Sequence, residues 1–303
     1  MTTKTTKTIA LMSIIAGILV TSSIVLNAVQ VNAAEIESPK RYTAEILSSE
    51  VKNVYYSGDT KVQRLEVTIK AKELPTFEEL VEDNQKYYDW LTSNFGKRGE
   101  MKVEELKAEL KQTVDNRPDV MTVNMVRVGD HSILFGDESY DSPMGNAKDP
   151  VNMVFYEDAT TSQTDTVIDS YADNNWGGDG VSPQQYVLIN NVPHGGTLDW
   201  VQSDHQQYKG NIVGQREHVR LFGGDYDTHS VYDYWSVGTA HQETWNTLCL
   251  CHEIDSWENA ESELRNDLVG QTGVGNVGTY NQGNSGYWQG EYNNGVARLI
   301  ELT

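Results

Sequence analysis

The chain contains 303 residues, of which 22% are charged, and its formal net charge at pH 7 is −21. That length is enough for two ordinary domains. The strong negative charge argues against nucleic acid and anionic lipid as partners, because both would be repelled. At the N-terminus, Lys4 and Lys7 precede an apolar run from Ile9 to Leu26, and the small residues Ala33 and Ala34 follow it.

This N-terminal arrangement is typical of a signal peptide, with a positive start, an apolar centre and small residues for cleavage. We predict a signal peptide over residues 1–34, cut near Ala33 or Ala34. The alternative is an uncleaved membrane anchor, because the apolar run approaches the roughly 20 residues that span a bilayer. This segment is the only membrane contact we expect. In either case the remainder is expected to be a soluble, secreted or cell-envelope protein outside the cytoplasm.

Residues 35–128 are predicted to form a small α+β accessory domain. Leu65, Val67 and Ile69 alternate with polar residues, as in a half-buried strand. Thr76 is a suitable N-cap for the first helix. No motif in this domain indicates chemistry. The predicted elements are the strands Tyr42–Ser48 and Val62–Ala71, the helices Glu78–Phe95 and Val103–Val114, and the strand Val120–Val128.

Residues 129–148 mix turn formers with acids and are predicted to be a linker. Residues 149–270 are predicted to form a second α+β domain. Residues 271–303 form a Gly/Asn-rich tail, which is expected to be a long loop that ends in a strand over Val296–Leu302. The predicted fold class is therefore α+β, with two mixed sheet and helix domains after a signal peptide.

Within the second domain, the clearest helix is Ser256–Leu268, in which Ser256 is the N-cap and Ala260, Leu264 and Leu268 form the apolar stripe. The other predicted elements are a strand over residues 149–155, a helix over Thr164–Tyr171, and the strands Tyr186–Ile189, His218–Phe222, Tyr234–Glu243 and Leu248–Ile254.

Histidines are concentrated in this second domain, which holds six of the seven: His194, His205, His218, His229, His241 and His252. Side chains alternate along a strand, so His218 and Arg220 share one face, while His241 and Glu243 share another with Trp235 and Val237. If Asn246-Thr247 forms a two-residue turn, His241 lies directly opposite His252, at about 5 Å between Cβ atoms.

This pattern predicts a divalent-metal or acid–base site. The ligands would be His241, His252 and a carboxylate, Glu243 or Asp255, with His218 or Arg220 nearby. Three nitrogen and oxygen ligands with an open position suit catalytic zinc. His218, Arg220 and Asp255 are the candidate catalytic residues. The alternative is a set of buried histidines that backbone and carboxylate groups satisfy.

Cys249 and Cys251 are the only cysteines and are separated by one residue. An exported protein can form disulfides, although a bond between such close cysteines closes a very tight ring. Two free thiols, an unusual disulfide and two soft metal ligands all remain open at this point.

The second domain also resembles a known family. The residues that carry the similarity are Asp149-Pro150-Val151-Asn152, a helix ending near Trp176, His218-x-Arg220-Leu221, Trp235-x-Val237-Gly238-Thr239-Ala240, and His252-x-Ile254-Asp255 before a helix with Glu261 and Arg265. Together they resemble the LssY carboxy-terminal domain family over about residues 149–270. The resemblance implies that His218, Arg220, Trp235, His252 and Asp255 are shared positions, in a family that accompanies membrane-associated or exported proteins and has no assigned reaction. His241, the two cysteines and the tail fall outside the pattern.

Three functions follow from these observations. The first is an exported binding module of the cell envelope or exterior, with an envelope or polysaccharide ligand. The second is a metal-dependent hydrolase that uses the histidines of the second domain. The third is a structural protein of an extracellular layer, which fits the acidic composition but predicts no cleft.

Overall fold

A computed structural model describes residues 42–129, 133–157, 159–171, 176–177, 181–190, 197–223 and 235–303. Residues Arg41–Thr303 pack as one compact unit. The structure is mostly β, with 52% strand and 25% helix. The signal peptide predicted over residues 1–34 lies outside the described residues. No helix of the described part of the chain combines the length and the apolar character that crossing a membrane requires.

The described residues form sixteen strands and five helices. The strands are β1 (Tyr42–Ser57), β2 (Thr60–Glu73), β3 (Val120–Val128), β4 (Ile133–Tyr140), β5 (Ala147–Pro150), β6 (Met153–Glu157), β7 (Trp176–Gly177), β8 (Tyr186–Ile189), β9 (Thr197–Gly210), β10 (Gln215–Phe222), β11 (Ser236–Asn246), β12 (Cys251–Ser256), β13 (Val274–Asn281), β14 (Gly286–Trp288), β15 (Glu291–Asn293) and β16 (Val296–Leu302). The helices are α1 (Phe77–Asp83), α2 (Gln85–Phe95), α3 (Lys97–Asp115), α4 (Thr161–Tyr171) and α5 (Trp257–Leu268).

Six strands close into a barrel in the order β1-β2-β3-β4-β8-β9, because β9 also pairs with β1. In the closing pair, Tyr42 lies opposite Trp200 and Glu45 lies opposite Thr197. β9 is 14 residues long. Its first part pairs with β1 and β8, and its second part pairs with β10 from Ser203 onward. The sheet then continues through β10-β11-β6-β16-β13, so one long strand belongs to both the barrel and the sheet that follows it.

The predicted α+β fold with two domains is therefore wrong. No sequence pattern predicts β9, because its segment TLDWVQSDHQQYKG has no sustained alternation of apolar and polar residues. Because β9 pairs with β1 and β8 of the barrel and also with β10, the strands of the two predicted domains form one continuous 14-stranded sheet. Part of the predicted linker, Ile133–Tyr140, is the largely buried strand β4 of the barrel.

Alternation in β2 places its apolar residues in the core. Leu65, Val67 and Ile69 are at most 2% exposed and pack in one cluster with Tyr186 and Trp200. This confirms the inward face that the sequence predicts for the strand. Burying such side chains contributes roughly 1.5–3 kcal/mol each relative to exposure, so this cluster is a main source of barrel stability.

The helical segment predicted over 78–95 is two helices, which meet at Asn84. Thr76 caps α1 as predicted: its hydroxyl accepts a hydrogen bond from the Glu79 amide at 3.2 Å, and the Glu79 carboxylate accepts one from the Thr76 amide at 2.7 Å. The Asn84 side-chain amide donates to the Leu80 carbonyl at 2.8 Å, which ends α1 and turns the chain into α2. α2 thereby presents Tyr87 and Tyr88 toward the body of the protein, where both are at most 5% exposed.

α5 agrees with the sequence analysis. Ser256 accepts a hydrogen bond from the Asn259 amide at 3.2 Å, and the stripe Ala260, Leu264 and Leu268 is fully buried. The tail does not agree. Val274–Asn281 is strand β13, which pairs with β16, so the expected long loop is wrong for this segment, whereas the terminal strand Val296–Leu302 is confirmed.

Candidate metal centre

Two paired strands, β10 and β11, carry the polar cluster at the centre of the molecule. His218 lies directly opposite His241, and Arg216 lies directly opposite Glu243. All four side chains are at most 3% exposed. Val219 and Ala240, which are sequence neighbours of His218 and His241, point to the other face of the sheet, where they pack with the buried stripe of α5. Strand alternation thus separates an apolar face from a buried face of ionisable groups.

Three ligand atoms converge within this cluster. Nε2 of His241 lies 2.9 Å from Oε2 of Glu243. Nδ1 of His218 lies 3.3 Å from His241 Nε2 and 3.5 Å from Glu243 Oε1. A tetrahedral zinc ion holds its ligands at about 2.0–2.2 Å, which places neighbouring ligand atoms about 3.4 Å apart. His218, His241 and Glu243 are therefore close enough together to hold a metal ion.

Hydrogen bonds on the outer side of His218 set its tautomer. Its Nε2 lies 3.1 Å from Oε1 of Gln206, which can only accept, so Nε2 carries the proton and Nδ1 turns its lone pair toward the cluster. Ser182 donates to the same Gln206 oxygen at 2.6 Å and fixes the amide. Burial, together with the positive charges of Arg220 and Arg216, lowers the pKa of His218 well below its ordinary value. The imidazole is therefore neutral, as metal ligation requires.

The two ring nitrogens of His241 have different surroundings. Its Nδ1 is buried without a hydrogen-bond partner among the described residues, 3.9 Å from Oδ2 of Asp149. If Nε2 held the proton, it would satisfy Glu243 but leave a bare Nδ1 facing a carboxylate. If Nδ1 holds the proton, it faces Asp149 favourably, and Nε2 adds a lone pair to those of His218 and Glu243. A cation satisfies all three lone pairs at once.

Two buried arginines balance the two buried carboxylates. Arg216 donates to Oε1 of Glu243 through Nε at 2.6 Å, which leaves Oε2 for His241. Arg220 donates to Oδ2 of Asp149 at 2.7 Å. The Arg216 guanidinium at Oε1 favours the charged form of the Glu243 carboxylate. Glu243 is therefore ionised and able to bind a cation.

His252 was predicted to be a metal ligand, but it lies beside the cluster and not within it. The predicted two-residue turn is wrong: Thr247–Leu250 form a four-residue loop, so His252 pairs with Trp245 and not with His241. Its Nε2 lies 3.1 Å from the Ile212 carbonyl, and its Nδ1 lies 3.8 Å from Glu243 Oε1. Burial lowers the pKa of His252 to about 4, so its Nδ1 lone pair faces the cluster as a fourth group.

The cluster forms one wall of a cleft of about 860 Å³. His241, Glu243 and His252 line it from the sheet, and Tyr87 and Tyr88 line it from α2. Asp149, Ser182 and Arg220 also line this cleft. One side of the metal position is thus open to a space large enough for a small substrate.

The other predicted site residues divide into two groups. Arg220 lies at the site, where it pairs with Asp149. Asp255 does not, because its carboxylate lies on the exposed side of β12 and accepts hydrogen bonds from Thr244 and Gln215. His205 lies apart from the cluster, with Nδ1 3.5 Å from Asp165. His194 and His229 lie outside the described residues.

Several site residues escaped the sequence analysis. Arg216 shares the β10 face of His218 and Arg220, so the same alternation could have identified it. Asp149, Gln206 and Tyr87 come from distant segments, and no sequence spacing connects them with the histidines.

Cys249 and Cys251 form a disulfide, and Cys251 lines the cleft. This resolves the three alternatives left open by the sequence. With both sulfurs bonded to each other, neither is available as a thiolate ligand. The disulfide closes the loop between β11 and β12 directly before His252.

Comparison of the chain with family models, with curated proteins and with solved structures gives no match. The function therefore has to be argued from the geometry of the cluster and its cleft. The resemblance to the LssY carboxy-terminal domain family remains an interpretation of sequence motifs. Of its shared positions, His218, Arg220 and His252 lie at or beside the cluster.

Proposed function

We propose that the protein is a divalent-metal-dependent hydrolase that works outside the cytoplasm, with His218, His241 and Glu243 as its metal ligands. The observation that carries the proposal is the convergence of two imidazoles and one carboxylate, whose possible ligand atoms lie within 4.8 Å of one another, at the wall of a cleft. Two imidazoles and one carboxylate, with an open position, are the ligand set of catalytic zinc sites.

A bound zinc ion would supply a Lewis acid and lower the pKa of a coordinated water toward neutrality. The residues of the chain have separate tasks around it. Gln206 orients His218, Asp149 lies 3.9 Å from Nδ1 of His241, and Arg216 holds Glu243. Partners of this kind fix the tautomer and the direction of metal ligands. His252 closes the side of the site next to the disulfide.

Two features support an extracytoplasmic location. Residues 1–34 have the pattern of a signal peptide, and disulfides such as Cys249–Cys251 persist in oxidising compartments. Fractionation of the native host would test the location, since a cytoplasmic pool of mature protein would contradict it.

The metal site is tested by stripping the purified protein with a chelator and titrating it with Zn²⁺, Co²⁺, Mn²⁺ and Fe²⁺ under anaerobic conditions. We expect one ion per chain, measured by calorimetry and elemental analysis, and loss of that binding in His241→Ala. His205→Ala is the matched control, because this histidine lies outside the cluster. Equal binding by both variants, or no binding by the unaltered protein, would contradict the site.

Hydrolysis is tested separately on the loaded protein with p-nitrophenyl acetate and p-nitrophenyl phosphate as probes. We expect turnover that chelation abolishes and added metal restores. The same ligand set binds iron in oxygenases, so a preference for Fe²⁺ without hydrolysis would replace this reaction class. Metal binding without turnover of any probe would favour the binding module.

A further inference from the structure

The charges at the metal centre point to the chemistry of the substrate. In the protein alone, Arg216 offsets Glu243 and Arg220 offsets Asp149. A divalent ion therefore adds two positive charges that this cluster does not balance. Buried charge is costly unless it is paired, so the balancing negative charge has to come from the cleft side.

Arg220 is positioned to meet a negative group from the cleft. It lines the cleft although it is only 4% exposed. Two of its nitrogens are occupied, by Asp149 at 2.7 Å and by Ser182 at 3.1 Å. Its Nε has no hydrogen-bond partner among the described residues. Held on two sides, the guanidinium is a fixed cation whose Nε–H has no partner in the part of the chain that the structure describes.

Tyr87 lines the same cleft from α2. Its ring is stacked on Trp90, with centroids 6.2 Å apart, and packs in one cluster with Trp245. Trp245 in turn contacts His252 beside the metal position, at 4.8 Å between rings. Within the described part of the chain, nothing forms a hydrogen bond with the Tyr87 hydroxyl. A protonated phenol with no partner is a donor held ready for an oxygen atom in the cleft.

The charges of the site act on this hydroxyl. Burial and the Glu243 carboxylate raise the pKa of Tyr87, and the guanidinium groups of Arg216 and Arg220 oppose that rise. Tyr88, the next residue, also lines the cleft, but burial alone raises its pKa. The charged groups of the cluster therefore act on the Tyr87 hydroxyl and not on that of Tyr88.

We infer that an oxyanion of the substrate, carboxylate or phosphoryl, binds in the cleft between the metal position, the Tyr87 hydroxyl and the Arg220 guanidinium. This inference rests on the proposed metal centre. A hydrogen-bond donor and a fixed cation that line the same cleft also favour the charge that develops in acyl or phosphoryl transfer. The substrate class is therefore an anionic ester or amide, with its charged group next to the metal.

The test uses the Co²⁺-loaded protein, whose visible absorption reports changes at the metal. Sodium acetate, inorganic phosphate and neutral acetamide are titrated in parallel. We expect acetate or phosphate to change the spectrum at lower concentration than acetamide. The anion that binds more tightly shows whether the substrate group is a carboxylate or a phosphoryl group. Tyr87→Phe should weaken the binding of that anion about tenfold or more, whereas the affinity for Co²⁺ should not change. Tyr88→Phe is the matched control and should bind like the unaltered protein. Arg220→Lys, which keeps a cation beside Asp149, should also weaken the binding of the anion.

The outcomes separate the two proposals. Failure to take up Co²⁺ appears directly as missing absorption and overturns the metal centre, and the inference with it. Uptake of Co²⁺ with equal responses to acetate, phosphate and acetamide overturns the inference alone. Equal anion affinity in Tyr87→Phe and Tyr88→Phe also overturns it, since Tyr87 would then take no part.

Discussion

Nδ1 of His218 lies 3.3 Å from Nε2 of His241, with the two imidazole rings edge to face at 89°. The contact joins directly opposite residues of β10 and β11. Directly opposite side chains are the closest neighbours that two antiparallel strands offer. Strand pairing alone therefore brings the two imidazoles together, and Glu243, two residues along the same face, completes the group.

We expect the two histidines to act as one unit in metal binding. His218→Ala and His241→Ala should each weaken Zn²⁺ binding by about a hundredfold or more, because each removes one of three ligands. The double variant should lose little beyond either single one, since two remaining groups do not hold the ion. Competition with a chromophoric chelator measures all three affinities. Fully additive losses would show that the histidines bind independently.

Arg216 should stabilise the metal-free protein by pairing with Glu243. Arg216→Met is expected to destabilise the metal-free protein by about 3–5 kcal/mol, because it leaves a buried carboxylate without its cation. Added Zn²⁺ should restore more stability to this variant than to the unaltered protein, as measured by urea unfolding. Arg298→Met is the matched control, because it breaks the Arg298–Glu261 pair (2.5 Å) away from the histidines. If zinc rescued both variants alike, the effect would not come from Glu243.

Gly99 sets the distance between α2 and α3, and therefore the position of Tyr87. A Cβ atom at this residue would overlap the backbone carbonyl of Leu91. Gly99→Ala should therefore destabilise the protein by about 2–3 kcal/mol. Gly286→Ala, where a Cβ meets nothing within 4 Å, should change stability by less than about 0.5 kcal/mol. Comparable urea midpoints for the two variants would contradict this close approach.

Asp137 should make stability depend on pH. Burial and the charge of Glu138 raise the pKa of Asp137 to about 7, whereas an unfolded aspartate titrates near about 3.9. Between these values the folded chain holds a proton that the unfolded chain has released. The free energy of unfolding therefore falls as pH rises through this window and levels off above it.

Asp137→Asn lacks this titration and provides the comparison. From pH 5 to pH 8 the unaltered protein should lose about 2–3 kcal/mol relative to the variant. Urea unfolding at both pH values measures the difference. Parallel pH profiles would show that Asp137 has an ordinary pKa in the folded protein.

The site was partly predictable because side chains alternate between the two faces of a strand, and this alternation shows which residues of β10 or of β11 share a face. Alternation placed His218 with Arg220 and His241 with Glu243, and these faces are the ones buried together. The register between β11 and β12 was not predictable. A two-residue turn would place His252 opposite His241, but the loop is longer and His252 lies opposite Trp245. A shift in the turn changes every pair across two strands, and turn length is weakly encoded in the segment Asn246-Thr247.

Local features followed from the sequence alone, because nearby residues decide them. The caps Thr76 and Ser256, the buried stripe of α5 and the inward face of β2 are all of this kind. Barrel closure through β9 was decided only in the tertiary structure, because a polar-rich segment becomes a strand when neighbours on both sides supply its hydrogen bonds. The same holds for Tyr87, Gln206 and Asp149, which meet the histidines only through long-range packing.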